Sequence, residues 1–248
     1  MERTQKKYKY GLIGKNISYS FSRQYFTKKF KNLKLEDCEY VNFDLQTIDE
    51  FSKMDLNTIS GFNVTIPYKE QILKFLDRID DEAKEIGAVN TIKITKDNQL
   101  IGYNTDFYGF QESLKPFLKL HHKKALVLGT GGASKAIIFV LNKLEIDFLV
   151  VSRNPIKAQI SYQNITEKVI DKYPLIINCT PLGTHPDIDK SPKIPYQFIS
   201  SQHLLYDLIY NPEKTSFLNK GEKQGATICN GLKMLELQAE KAWEIWSL

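Results

Sequence analysis

A lysine and an aspartate stand in polar, turn-rich segments of this chain, with a glycine loop after them. Lys69 ends the run Gly61-Phe62-Asn63-Val64-Thr65-Ile66-Pro67-Tyr68-Lys69, and Asp106 ends Gly102-Tyr103-Asn104-Thr105-Asp106. The loop is Gly129-Thr130-Gly131-Gly132-Ala133-Ser134. Reducing a carbonyl needs a hydride on one face and a proton for the forming alkoxide. A lysine beside a carboxylate keeps its proton and can orient and protonate a substrate oxygen, while the carboxylate holds the lysine and binds a substrate hydroxyl. The order therefore reads as proton transfer coupled to hydride transfer. Ser18, Ser20 and Ser22, with Asn90 and Thr91, add hydroxyls and amides suited to a small polyhydroxylated acid.

The glycine loop has the context that a dinucleotide cradle requires. Ala125-Leu126-Val127-Leu128 is a short apolar strand before it, and an amphipathic helix to about Leu144 follows. Gly129 allows the tight turn, Gly131 lets backbone approach a pyrophosphate, and the helix start offers free N–H groups. A second strand ends Val150-Val151-Ser152-Arg153-Asn154-Pro155, with Lys157 close behind. NAD-binding folds place an acid there for the ribose 2′-hydroxyl. A guanidinium in its place can pair with a 2′-phosphate, so NADP is the expected cofactor.

The elements that must position these residues alternate. Strands are expected at Tyr8–Ile13, Glu39–Leu45 and Ile59–Ile66, with helices at Ser20–Phe30, Thr47–Met54, Lys69–Asp77 and Asp80–Ile86. Ala88–Ile94 and Leu100–Tyr103 read as a hairpin across Lys96-Asp97-Asn98. This pattern predicts a mostly parallel α/β sheet. A helix near Phe107–Leu118 precedes His121-His122-Lys123-Lys124, which reads as a solvated linker rather than a metal pair. Further strands are expected at Phe148–Val151, near Ile160, and at Leu175–Asn178, Leu204–Asp207 and Thr227–Asn230, before a closing helix Met234–Trp246. Asn154–Pro174 is short for two full helices, which predicts a trimmed sheet edge.

The bulk numbers set bounds. The 248 residues suffice for two modest domains, and 42% hydrophobic with 25% charged content is that of an ordinary globular protein. A net charge of +5 comes from 34 basic residues scattered among 29 acidic ones, dense only at Arg3–Lys9. That is too little to argue for nucleic acid. Cys38, Cys179 and Cys229 have neither disulfide-framework nor zinc spacing. No signal peptide or membrane span is read, so the expected location is the cytoplasm.

These motifs resemble the shikimate dehydrogenase family. Tyr19-Ser20-Phe21-Ser22 is similar to its His-Ser-x-Ser carboxylate loop, and Asn63 to Lys69 matches its Asn-Val-Thr-x-Pro-x-Lys signature. Gly87-Ala88-Val89-Asn90-Thr91 and the Asp106 segment match other blocks, and Ser152-Arg153-Asn154 resembles its phosphate clasp. Asn178 to Gly183, Asp207 to Pro212 and Gly231 to Gln238 supply its later blocks. The resemblance implies an α/β fold: an N-terminal α/β substrate-binding domain plus a Rossmann-like NADP-binding domain, with a cleft between them. Its boundaries would be 1–106 completed by 231–248, and 107–230. The implied activity is reversible NADPH-dependent reduction of 3-dehydroshikimate to shikimate by a monomer or homodimer, without nucleic acid or membrane partners.

By the same resemblance Lys69 and Asp106 are the catalytic pair. Ser20 and Ser22 hold the substrate carboxylate, and Asn63, Thr65, Asn90, Tyr210 and Gln238 complete the substrate site. Gly129, Thr130, Gly131, Gly132, Ala133, Ser152, Arg153, Asn154, Lys157, Thr180, Leu208 and Gly231 bind the cofactor, with Asp81 near it. Tyr19 replaces the family's usual His, Arg23 its Pro, and Ser152 its Asn, while Lys157 stands for a second arginine. A quinate/shikimate dehydrogenase would share almost every motif and tolerate NAD, against which Arg153 argues. A non-catalytic NADP- or metabolite-sensing module of the same fold is opposed by intact Lys69 and Asp106. A folate-linked dehydrogenase of similar architecture leaves Asp106 and Gln238 unexplained.

Overall fold

The computed structural model describes residues 8–18 and 20–247, so Tyr19 and most of the basic stretch Arg3–Lys9 lie outside it. The chain divides into two units. One runs to Thr105 and is joined by the stretch from Ala239 onward; the other is Asp106–Gln238. The first carries β1 (Tyr8–Gly14), α1 (Phe21–Asn32), β2 (Cys38–Asp44), β3 (Ile59–Val64), β4 (Arg78–Ile79), α2 (Asp81–Ile86), β5 (Thr91–Ile94) and β6 (Leu100–Tyr103). The second carries α3 (Asp106–Leu114), β7 (Lys124–Leu128), α4 (Gly132–Lys143), β8 (Asp147–Val151), β9 (Gln159–Ile160), α5 (Glu167–Lys172), β10 (Leu175–Asn178), β11 (Leu204–Asp207), α6 (Ser216–Glu222) and β12 (Thr227–Cys229). A last helix, α7 (Leu232–Ser247), starts in the second unit and ends in the first.

The first sheet has the order β2-β1-β3-β5-β6-β4. β1 is parallel to β2 and β3, and β4 to β6, but β5 runs antiparallel to both β3 and β6. The expected β5–β6 hairpin is present, and because β5 also runs antiparallel to β3 the sheet is mixed rather than mostly parallel. The expected helices at 47–54 and 69–77 are short 3₁₀ turns, Ile48–Lys53 and Gln71–Phe75. One sheet face packs Ile13, Phe62, Val64, Ile72 and Ile92. The other packs Tyr10, Tyr40, Phe26 and Phe30 of α1, and Ala239, Ala242, Ile245 and Trp246 of α7. Phe26 and Phe30 are four apart and so share one helical face.

The second sheet is parallel throughout, in the order β12-β11-β10-β7-β8-β9. The apolar run of β7 alternates between faces: Ala125 and Val127 pack with α3 and α4, Leu126 and Leu128 with α5 and α6. Between β8 and β9 the chain makes turns and no helix, so this edge is trimmed as expected. Two short helices, α5 and α6, were not foreseen; at six and seven residues they present too few turns for a periodic signal.

The segment from His121 to Lys124 lies inside the second unit, and His122 is no solvated linker residue. It is 3% exposed, accepts from the Lys119 N–H at Nδ1 (3.0 Å) and faces the Gln202 carbonyl through Nε2. Burial, with His121 second, pulls its pKa below the ordinary histidine value. No helix among the described residues is long and apolar enough to cross a membrane.

The docking of α7 on the first sheet depends on Gly61. A β-carbon there would overlap the Trp246 indole and lie 2.8 Å from the Ile92 carbonyl, to which Trp246 Nε1 donates at 3.0 Å. Gly61→Ala is expected to destabilise the first unit by about 1–3 kcal/mol, the usual cost of overpacking. Tryptophan fluorescence during urea unfolding checks it, since both tryptophans, Trp243 and Trp246, belong to α7.

Candidate functional site

In the first unit, β1 has β2 on one side and β3 on the other, so its C-terminal end is a topological switch point, where open α/β sheets place ligands. The predicted substrate segments leave the sheet there. Thr65 N donates to the Ile13 carbonyl (2.8 Å), Lys15 N to that of Ile66 (3.2 Å), and a β-carbon on Gly14 would lie 2.6 Å from Thr65 Cγ2. Asp44 holds the first segment by accepting from Asn16 N (2.9 Å) and Ile17 N (3.3 Å). Ser20 follows as the N-cap of α1 without a side-chain capping bond. Its Oγ is buried and has no hydrogen-bond partner among the described residues. A buried hydroxyl left unpaired is costly, and a ligand oxygen would satisfy it. Ser22 is on the first turn of α1, and Tyr19 falls outside the described residues.

Lys69 is fixed by its neighbours. Buried Tyr68 donates its hydroxyl to the Leu45 carbonyl at 2.7 Å, and the Lys69 carbonyl accepts from Val89 N at 2.8 Å. The lysine follows β3 and is half-buried. Beside this segment the ends of β3, β5 and β6 share a buried polar network. Asn63 Oδ1 accepts from the Tyr40 hydroxyl (2.8 Å), and its Nδ2 donates to Thr91 Oγ1 (3.1 Å). Asn90 Oδ1 accepts from Thr105 N (2.7 Å) and Thr91 Oγ1 (3.1 Å), while Asn90 Nδ2 donates to Thr105 Oγ1 (3.1 Å). Asn63, Thr65, Asn90 and Lys69 thus gather at one end of the first sheet. Tyr40 and Thr105 were not foreseen, because only the tertiary contact brings them to this network. Asp81 opens α2, exposed, in the same unit.

Asp106, 5% exposed, begins the second unit as the first residue of α3. In that unit the switch point lies between β7 and β10. Gly129 turns the chain with φ +107°, and a β-carbon there would sit 3.0 Å from Thr180 Cγ2. Above Gly131, the N-cap of α4, added bulk would meet nothing within 4 Å. Thr130, Gly132 and Ala133 complete this turn, and Ser134 Oγ folds back onto the Gly131 carbonyl (2.6 Å). Open backbone at an uncapped helix start fits a dinucleotide pyrophosphate. Past β8, Arg153, Asn154 and Lys157 are exposed and no acid follows the strand. Ser152 is buried, and its Oγ accepts from Asn154 N (3.2 Å), so it shapes the turn that presents Arg153. A pocket of about 1090 Å³ opens beside Arg153, lined also by Tyr162, Leu182, Lys193, Tyr196 and Lys220.

A second buried network carries Thr180 and Leu208. Asn178 Oδ1 accepts from Thr180 N and Oγ1 (3.0 and 2.7 Å), and Asn178 Nδ2 donates to Asp207 Oδ1 (3.0 Å). Asp207 also accepts from Ile209 N (3.1 Å) and Thr215 Oγ1 (2.6 Å). Leu208 backs onto Gly231 so closely that a β-carbon on Gly231 would fall 2.6 Å from the Leu208 carbonyl carbon. Tyr210 follows in the same turn, and Gln238 lies against Gly109 of α3.

Burial pushes the Asp207 carboxyl up to about 6, outweighing the bonds from Thr215, Ile209 and Asn178. A folded-state value above the unfolded one means that the folded chain holds its proton longer. This group's penalty is absent below about pH 4, grows as pH rises, and is complete above about pH 6, reaching about 3 kcal/mol. Asp207→Asn should therefore flatten the fall of unfolding free energy between those pH values. A variant whose pH profile parallels that of the wild type would contradict this.

Comparison with known proteins agrees with the geometry. The family model described as "Shikimate dehydrogenase substrate binding domain" matches residues 12–92. Over 252 aligned residues, covering 97% of each chain, the protein is 41% identical to "Shikimate dehydrogenase (NADP(+))" of Clostridium botulinum. The crystal structure of shikimate dehydrogenase 1 from Peptoclostridium difficile superposes with a TM-score of 0.83 at 41% identity, covering 96% of this chain and 91% of that one. That of shikimate 5-dehydrogenase from Thermus thermophilus, in complex with NADP(H) and shikimate, gives 0.85 at 30% identity, covering 96% and 93%. With its glycine turn, its locked lysine loop and relatives this similar along nearly its whole length, the chain belongs to the shikimate dehydrogenase family.

Proposed function

We infer that this protein is an NADP-dependent oxidoreductase that reversibly reduces 3-dehydroshikimate to shikimate. The observation that carries this is the presence of both halves of the reaction on one chain: a backbone-locked Lys69 loop beside hydroxyl and amide groups, and an open glycine turn with a cationic strand exit. When bound, the dinucleotide supplies or takes up the hydride. Gly129 to Ala133 and the start of α4 would hold its pyrophosphate. Arg153, Lys157 and Asn154 would face the 2′-phosphate, with Ser152 shaping their turn, and Thr180, Leu208 and Gly231 would border the cofactor from the β10 and β11 side. Asp81 is assigned to the cofactor by the family pattern alone.

Ser20 and Ser22 hold the substrate carboxylate, and Ser20's unpaired buried hydroxyl supports that role. Asn63, Thr65, Asn90, Tyr210 and Gln238 complete the substrate site. Lys69 donates a proton to the substrate oxygen as negative charge develops there, and takes it back in the reverse direction. Asp106 is the other member of the proposed catalytic pair and binds a substrate hydroxyl. By the family pattern the substrate-binding domain is 1–106 completed by 231–248, and 107–230 is the NADP-binding domain. The reaction serves chorismate and aromatic amino-acid biosynthesis in the cytoplasm, carried out by a monomer or homodimer.

Lys69→Ala is expected to lower kcat by about 10²–10⁴-fold, the usual worth of a general acid, with NADP binding unchanged by fluorescence titration. Near-normal turnover would end the assignment. Arg153→Ala tests cofactor choice. Because Arg153 is exposed, solvent screens its charge, and the expected rise in KM for NADP is about tenfold rather than the larger effect of a buried pair. Initial rates with NAD should stay low for both proteins. Wild-type enzyme as active with NAD as with NADP would remove Arg153 from its role.

A further inference from the structure

The face of the second sheet opposite α4 is covered by short pieces. Ala125 and Val127 pack with α4, whereas Leu126 and Leu128 on the other face meet α5, α6 and two 3₁₀ turns, Tyr162–Asn164 and Tyr196–Phe198. Pieces this short leave space between them, and the pocket of about 1090 Å³ lies there. Tyr162, Ile194 and Tyr196 belong to the core of that face, so the floor of the pocket is aromatic and aliphatic. Arg153 and Leu182, which follow β8 and β10, form its rim on the side of the strand ends. The pocket thus begins at the proposed 2′-phosphate clasp and runs onto the face away from α4, whose start would take the pyrophosphate.

Its walls carry more positive than negative charge. Arg153, Lys190, Lys193 and Lys220 line it against one described carboxylate, Asp189. Lys190 is paired with Asp187 at 2.8 Å, but Arg153, Lys193 and Lys220 have no carboxylate partner among the described residues. Lys220 is held in place all the same. Its Nζ donates to Ser191 Oγ at 2.8 Å and sits 5.1 Å from the centroid of the Tyr196 ring, whose hydroxyl donates to the Pro192 carbonyl at 2.8 Å. A cation seated on an aromatic ring, beside an apolar floor, suits a ligand with a flat apolar body and an anionic group. We propose that this pocket is a second ligand site, for a small aromatic carboxylate or phosphate, and that its occupant competes with NADP because both draw on Arg153. The competition rests on the placement of Arg153 at the 2′-phosphate; the site itself does not.

The test uses phenyl phosphate as the probe on the full enzyme, followed by saturation-transfer NMR and by initial rates. The probe should bind, inhibit competitively against NADP, and weaken as salt rises, because Arg153, Lys193 and Lys220 are exposed. Inorganic phosphate and phenol, each with half of the recognition, should bind more weakly. Lys220→Gln should leave kcat and KM for NADP unchanged while weakening the probe roughly 2- to 5-fold, the worth of one screened contact. Adding Lys193→Gln should take the loss to about tenfold. Equal probe affinity in wild type and the double variant overturns the site, because the probe would then be held elsewhere. A parallel rise in KM for NADP in Lys220→Gln also overturns it, since the pocket would then hold the cofactor itself. Inorganic phosphate bound as tightly as phenyl phosphate overturns the aromatic part and leaves a cationic surface. Probe binding that needs Lys220 yet persists under saturating NADP overturns the competition. If Arg153→Ala leaves KM for NADP unchanged, the cofactor role of Arg153 falls while Lys220-dependent probe binding stands, so the two readings fail separately.

Discussion

The reciprocal hydrogen bonds between Asn90 and Thr105 are the constraint on which the substrate unit depends. Asn90 takes the Thr105 N–H at 2.7 Å and gives its own amide proton to Thr105 Oγ1 at 3.1 Å. Both residues are almost wholly buried, where an unsatisfied amide is expensive and a satisfied one is rigid. This pair ties the approach to β5 to the exit of β6, and Asp106 is the next residue along that exit. Through Thr91 it reaches Asn63 on β3, and Asn63 holds Tyr40 of β2, whose ring stacks on Phe26 of α1. Residues far apart in sequence are thereby held to one arrangement by a few protons. The aromatic packing of α1 and α7 on the same sheet keeps water from that network.

The second unit solves a similar problem in a different way. A parallel sheet leaves its strand ends open at the switch point, where backbone N–H groups and a helix start favour an anion. Gly129 and Gly131 keep that space clear, one through its left-handed φ and the other through the open volume above it. Behind them the Asn178–Asp207–Thr215 network sets the loops after β10 and β11. Its cost is a carboxyl buried enough that its pKa rises to about 6 despite three hydrogen bonds. An arrangement held by such a group trades stability above that pH for fixed loop geometry.

Much was legible in the chain because the relevant physics is local. A glycine turn between an apolar strand and an amphipathic helix announces itself, since turn, strand and helix each leave a short-range pattern. The same holds for β8 ending in arginine without an acid, and for the lysine loop beyond Pro67. Short elements were less legible. The 3₁₀ turns after β2 and β3 resembled helices, and α5 and α6 were too brief to show a period. His122 looked like solvent-facing linker because its partner, the Gln202 carbonyl, lies 80 residues on.

What the sequence determined by itself was the α/β class, the glycine cradle, the cationic exit of β8 and the residue types able to move a proton. These follow from periodicity and from chemistry carried within a few residues. The tertiary structure alone decided that β5 pairs antiparallel with β3, that α7 closes over Gly61, and that the Ser20 hydroxyl is buried without a partner among the described residues. Each of those depends on which groups meet across long stretches of chain, and spacing along a sequence does not record that.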